Sequence, residues 1–162
     1  MTQVAHEPSI RLASRDDLAA ILEVEDSSFE SSGERFSSQV VLRLLANPRA
    51  RVTVAVAGPA VAGWAAGLVR QSATGKVSGR VYSVATHPDH RGKGVGRALC
   101  EDLLDWFAAR GASAAYLEVR SNNESAKRLY DRLGFVTQRF LPGYYGLDAD
   151  GLRMRKSFQS KA

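Results

Sequence analysis

The chain has 162 residues, of which 44% are apolar and 24% charged. That length and balance suit a domain with a buried core, and they exclude a disordered chain or a small disulfide-stapled scaffold. A single cysteine, Cys100, cannot form an internal disulfide and fits a reducing, cytoplasmic setting, while a net charge of +5 suits an anionic ligand.

The first eight residues are polar and lack the apolar stretch of a secretion signal. A first strand is expected over 10–13. Ser14 followed by Asp17 has capping-box spacing, and Leu18, Ile21, Leu22 and Phe29 mark the helix after it. A polar loop at 30–34 leads to a second helix carrying Val40, Val41, Leu44 and Leu45, which ends near Asn47-Pro48. Residues 52–69 then run 18 positions without a charge, long enough to raise a membrane helix. Gly58-Pro59 interrupts that run, so two strands joined by a tight turn are expected instead, with no membrane partner.

A long strand over 75–86 comes next, broken by His87-Pro88-Asp89-His90. Val95, Leu99, Leu103, Trp106 and Phe107 advance by helical steps, and Gly111 stops that helix. A strand follows over 114–119. Ser121 with Glu124 makes a second capping-box match before a helix bearing Ala126, Leu129, Tyr130 and Leu133. Two final strands, 135–140 and 152–158, enclose a loop rich in Gly, Tyr and Asp. The order β-α-α-β-β-β-α-β-α-β-β implies one α/β domain, a mixed sheet covered by helices. No linker or repeat divides residues 1–162.

The segment 87–97, HPDHRGKGVGR, lies between a strand and a helix. Gly92, Gly94 and Gly96 let backbone N–H groups approach an anion, the helix start adds a positive dipole end, and Arg91, Lys93 and Arg97 add charge. A P-loop pattern is missing. The dinucleotide fingerprint fails because its third glycine falls on Arg97 or Leu99, although Glu118 sits near the distance of a ribose-binding acid. A nicotinamide site and an ordinary glycine turn both remain open on this segment alone.

Arg91-Gly92-Lys93-Gly94-Val95-Gly96 resembles the Arg/Gln-x-x-Gly-x-Gly/Ala signature of the GNAT N-acetyltransferases, which use acetyl-coenzyme A. The run from Asn123 through Ala126, Leu129-Tyr130 and Gly134-Phe135 is similar to the family's Asn-x-x-Ala-x-x-Leu-Tyr-x-x-x-Gly-Phe. Within the family the chain looks most like the RimI-type protein N-terminal acetyltransferases, on Leu117-Glu118-Val119-Arg120, Tyr130, Tyr144-Tyr145, Asp150 and Met154. Its loop 27–36 departs from the Pro-Trp loop usual in that type.

The resemblance implies the GNAT fold: a mixed, mostly antiparallel sheet of six to seven strands, about four flanking helices, and splayed fourth and fifth strands. It also implies acetyl transfer to a primary amine by direct attack in a ternary complex, with acetyl-CoA as cosubstrate and no metal. The acceptor would be a protein or peptide N-terminus; a small amine, or a CoA-binding module without turnover, is the alternative. The cofactor would be held by Val84, Ala85, Thr86, Arg91, Gly92, Lys93, Gly94, Val95, Gly96, Arg97, Asn123 and Tyr130. A backbone N–H on 84–86 would meet the thioester carbonyl as an oxyanion hole does.

Glu118 would be the base, acting directly or through a water, and Tyr130 the acid that protonates the departing sulfur. Tyr144 and Tyr145 would bind the acceptor. The plainer reading of each is a solvated glutamate or a salt-bridge partner for Arg120, a core tyrosine, and two tyrosines stabilising their own hairpin. Asn123 also suits a helix cap. His87 and His90 lack metal-ligand spacing, and Cys100 reads as a packed thiol. The basic residues at 127–132 and 153–156 read as a solvated face, with no nucleic-acid partner expected. A monomer or a homodimer suits the chain.

Overall fold

A computed structural model describes residues 7–28 and 35–159. The elements are β1 (Ser9–Leu12), α1 (Leu18–Ser28), α2 (Ser38–Ala46), β2 (Ala50–Ala57), β3 (Ala60–Gln71), β4 (Val77–Thr86), α3 (Val95–Ala109), β5 (Ala114–Arg120), α4 (Glu124–Arg132), β6 (Val136–Leu141) and β7 (Gly151–Ser157). Their order is the expected one. Phe29 and the loop 30–34 lie outside the described residues. The strands form a sheet in the order β1-β2-β3-β4-β5-β7-β6. β4 and β5 run parallel because α3 carries the chain across between them, whereas β5–β7 and β6–β7 are antiparallel.

The chain forms two compact units, Met1–Gly67 with Ser83–Leu103, and Leu68–Tyr82 with Leu104–Ala162. In the first, the uncharged run becomes β2 and most of β3, turning at Gly58-Pro59. Six successive residues of β3, from Ala62 to Gly67, are buried, so both faces of the strand are covered. A strand covered on both faces reads as an unbroken apolar run rather than an alternating one, which is why the segment imitated a membrane span. Among the described residues no helix is long and apolar enough to cross a membrane. A Cβ placed on Gly63 would lie 2.6 Å from the Ala85 carbonyl oxygen and 2.9 Å from Val95 Cγ1, so β4 and the start of α3 close tightly on β3 here.

At its start, α1 follows a 3-10 turn in which Asp17 accepts the Ser14 N–H at 2.8 Å, the reciprocal half of a capping box. Asp17 also takes both terminal nitrogens of Arg11, at 2.9 and 2.8 Å. The hydrogen-bonded Arg11 guanidinium holds its carboxyl below the usual carboxylate range.

In the second unit, β5 and β7 pair over seven positions, from Ala114↔Ser157 to Arg120↔Gly151. The β4–β5 ladder holds only Gly79↔Ala115 and Arg80↔Tyr116. No further register pair joins these two strands beyond Arg80 among the described residues. Gly79 is where Phe107 of α3 seats: a Cβ there would lie within 2.6 Å of three ring carbons of this fully buried side chain. Gly79→Ala should therefore lower stability by about 1–3 kcal/mol, the usual cost of overpacking. A denaturant midpoint equal to that of the parent would show that the ring moves aside freely.

The second capping box is corrected. Asn123, not Ser121, caps α4, its Oδ1 accepting the Ala126 N–H at 3.1 Å. The Ser121 N–H instead donates to the Asp150 carbonyl, and its own carbonyl accepts from Lys127 Nζ, so Ser121 belongs to the turn that leaves β5. Asn competes as well as Ser for a cap, and the chain needs two further residues to leave the strand.

Candidate functional site

In the first unit, the segment after β4 turns through Pro88–His90 and reaches α3 by way of two glycines with left-handed backbone, Gly92 at φ +76° and Gly94 at φ +79°. Nothing lies within 4 Å of a Cβ built on either. Among the described residues, no acceptor takes the backbone N–H groups of Gly92, Lys93, Gly94, Val95, Gly96 or Arg97, while the Gly94 carbonyl already receives the Ala98 N–H. The first turn of α3 holds no acidic residue. Arg91 and Lys93 are exposed, and Arg97 pairs with Glu101 at 2.9 Å. Open amides, a helix N-terminus and uncommitted cations together fit a diphosphate.

Val84, Ala85 and Thr86 end β4 beside this loop. The Thr86 carbonyl accepts from Ser28 Oγ at 3.0 Å, and the His87 N–H donates to the Ala62 carbonyl at 2.8 Å. His87 Nδ1 accepts the Asp89 N–H, so this histidine shapes the turn. Cys100 is buried, as expected of a packed thiol.

Glu25 was missed by the sequence reading. It is 1% exposed on α1, yet it takes three donors: Trp64 Nε1 at 2.8 Å, Ser83 Oγ at 3.2 Å and the Phe36 N–H at 3.0 Å. Burial pushes its carboxyl up, and the three hydrogen bonds oppose part of that rise. The carboxylate thereby ties the chain just before α2 to β3 and to β4 one residue ahead of Val84. The available signal was its place four residues after Ile21 on the apolar stripe of α1, together with a tryptophan in an apolar strand whose N–H needs an acceptor.

In the second unit, the Glu118 side chain is only 7% exposed and lies between two guanidiniums. Arg80 Nη2 meets Oε2 at 2.9 Å, and Arg153 Nε meets Oε1 at 3.2 Å. Arg120, the other cation weighed as a partner, stacks over the Tyr145 ring at 5.4 Å. Cross-strand register accounts for the two guanidiniums that meet Glu118. Arg153 is the register partner of Glu118, and Arg80 is that of Tyr116, two residues away on the same face. Each carboxylate oxygen retains lone-pair capacity for a water.

Tyr130 is 7% exposed on α4, its ring edge-on to Phe135 at 5.7 Å, and its carbonyl accepts the Phe135 N–H at 2.9 Å. Asn123 keeps its amide NH₂ free of the capping contact made by Oδ1. Tyr144 and Tyr145 meet edge-on at 4.9 Å in the loop between β6 and β7, closed by Asp150 accepting the Gly143 N–H at 2.8 Å. Glu118, Tyr130, Asn123, Tyr144 and Tyr145 thus share the second unit, while Val84–Thr86 and 91–97 belong to the first. Among the described residues no cluster could hold a metal ion.

Residues 18–135 match the sequence pattern of the acetyltransferase (GNAT) family. The chain belongs to that family. It is 36% identical over 115 residues to the N-alpha-acetyltransferase RimI of Mycobacterium tuberculosis, covering 70% of each protein. Other curated relatives match over less of their length, and the chain spans 26% of one and 44% of another. Among solved GNAT structures, the ribosomal-protein-S18-alanine N-acetyltransferase of Escherichia coli superposes with a TM-score of 0.81 at 23% identity over 96% of both chains, a likeness of fold. The Salmonella typhimurium acetyltransferase yncA, solved with its cofactor acetyl-CoA, superposes at 0.78 with 25% identity over 97% of both. The GNAT fold and the RimI-type resemblance expected from the motifs accord with these likenesses.

Proposed function

We propose that this chain is an acetyl-CoA-dependent N-acetyltransferase acting on a protein or peptide N-terminal α-amine. The observation that carries the reading is the row of N–H groups from Gly92 to Arg97, at the start of α3, that have no acceptor among the described residues. Such a row suits the diphosphate of the coenzyme, with Arg91 and Lys93 beside it. The M. tuberculosis relative, an N-alpha-acetyltransferase, supports the acceptor class. The family match runs through both units, which supports reading the chain as one acetyltransferase domain, and a cytoplasmic setting suits it.

In this reading Glu118 removes a proton from the amine through a water. Arg80 and Arg153 hold the carboxylate in place as it does so. Tyr130 presents its phenol to the departing sulfur, and the Asn123 amide NH₂ reaches the coenzyme arm. A backbone N–H of Val84–Thr86 polarises the thioester carbonyl. Tyr144 and Tyr145 offer rigid area and hydroxyls to the acceptor backbone. Holding the amine against the thioester supplies much of the rate.

The test is a panel of free-N-terminus peptides, polyamines and amino acids incubated with acetyl-CoA and read by mass for the nitrogen that gains 42 Da, an acetyl group replacing one hydrogen (about that mass by general acyl-transfer chemistry). Acetylated peptide α-amines uphold the reading. Acetylation confined to small amines, or coenzyme binding without transfer, overturns it. Gly94→Val forces a β-branched residue into left-handed backbone and should weaken acetyl-CoA about tenfold or more by calorimetry. Unchanged affinity would place the diphosphate elsewhere.

A further inference from the structure

The second unit carries more positive charge around Glu118 than holding that carboxylate requires. Strands β4 to β7 contain one acidic residue, Glu118. The face that bears it also bears Arg80, Arg153, Arg155 and Arg139, because register pairs share a face: Tyr116 with Arg80 and Arg155, and Arg153 with both Glu118 and Arg139. Contacts agree with the register. Arg80 and Arg153 both reach Glu118, and Arg155 Nε donates to Tyr116 Oη at 3.1 Å.

One carboxylate cannot neutralise four guanidiniums. The Arg80 and Arg153 side chains are each 31% exposed, whereas that of Glu118 is 7% exposed. Arg80 Nε is buried without a hydrogen-bond partner, and the exposed Arg139 side chain on the edge strand β6 makes no ion pair or side-chain hydrogen bond among the described residues. The sheet therefore offers a single negative centre ringed by positive groups with donors to spare.

We propose that this face selects acceptors in which the reactive α-amine is followed by acidic side chains. The inference rests on the N-acetyltransferase reading and names its substrate class. The amine is drawn to Glu118, and Asp or Glu at the next two or three positions meets Arg139, Arg155 and the outer nitrogens of Arg80 and Arg153. Charge-assisted, bidentate contacts of this kind fix orientation as well as attraction. A nucleic-acid backbone fits the pattern less well, because its phosphates would be repelled by the central carboxylate, and it has no cation to match it.

The experiment compares kcat/KM on peptides identical except at residues two to four, made acidic, neutral or basic, each with acetyl-CoA at low and moderate salt. Acidic peptides should exceed neutral ones about tenfold at low salt, and the ratio should shrink as salt rises. Arg139→Glu and Arg155→Glu should each collapse the ratio, and Arg139→Lys should restore most of it. Equal rates on acidic and neutral peptides overturn the inference and leave the acetyltransferase reading standing. So does a ratio untouched by both charge reversals. A preference for free glutamate over every peptide overturns it too, as does tight binding of an RNA oligonucleotide lost in the same variants without any acidic preference. If acetyl-CoA binds and no peptide is acetylated, the reading and the inference fall together.

Discussion

Replacing Tyr130 with phenylalanine should lower kcat by about 10²-fold while leaving the acetyl-CoA dissociation constant within about twofold, the range expected when a general acid is removed. The substitution keeps the ring, so its edge-on contact with Phe135 and the backbone bond that follows it are retained. Loss of rate then reports the hydroxyl and not the packing of α4. A phenol O–H can donate to a thiolate as it leaves. Turnover equal to the parent's would assign that proton to another group. A matching rise in KM with unchanged kcat would make Tyr130 a binding residue only.

Glu25→Ala should lower stability by about 2–4 kcal/mol, since it leaves the Trp64 and Phe36 N–H groups without an acceptor in a buried setting, each costing about 1–3 kcal/mol, and only the Ser83 hydroxyl can turn elsewhere. A loss under 1 kcal/mol (about the value of one exposed interaction) would mean that water enters and satisfies the donors. Glu25→Gln separates charge from shape. The amide oxygen can still accept from Trp64 and Ser83, but an amide NH₂ then faces the Phe36 N–H, and the chain before α2 loses its tether.

The same residue sets a pH dependence. Burial raises the folded carboxyl above its ordinary value. Between the unfolded value and the raised folded one, the native chain keeps a proton that the unfolded chain has released. Stability from this group is fully present below the unfolded value and is lost as pH rises through the folded one. Relative to Glu25→Gln, the parent should therefore lose stability as pH rises across that window. A difference independent of pH would show that the carboxyl titrates alike in both states.

The order of elements could be read from the chain because each signal is local. Helical spacing from Val95 to Phe107, the Gly58-Pro59 turn and the left-handed glycines before α3 need no distant partner to be meaningful. The same holds for the coenzyme motif, which is contiguous from Arg91 to Gly96, and for the α4 signature from Asn123 to Phe135. Capping was less legible. Ser121 and Asn123 both suit a helix start, and the choice fell to how many residues the chain needs to leave β5.

Pairing across the sheet was beyond local signals. Glu118 looked like a partner for Arg120, two residues away in sequence and one pleat along the same face. Register instead brings Arg153, 35 residues later, directly opposite, and α3 carries the chain so that Arg80 arrives from the other side. Glu25 shows the same limit: a glutamate on an apolar stripe is ambiguous until Trp64, Ser83 and Phe36 converge on it. Composition and spacing settled which elements form and which family they signify, since short-range sterics and periodicity act along the chain. Folding settled which charges face one another, since a hydrogen bond or ion pair depends on distance in space, and sequence separation does not report it.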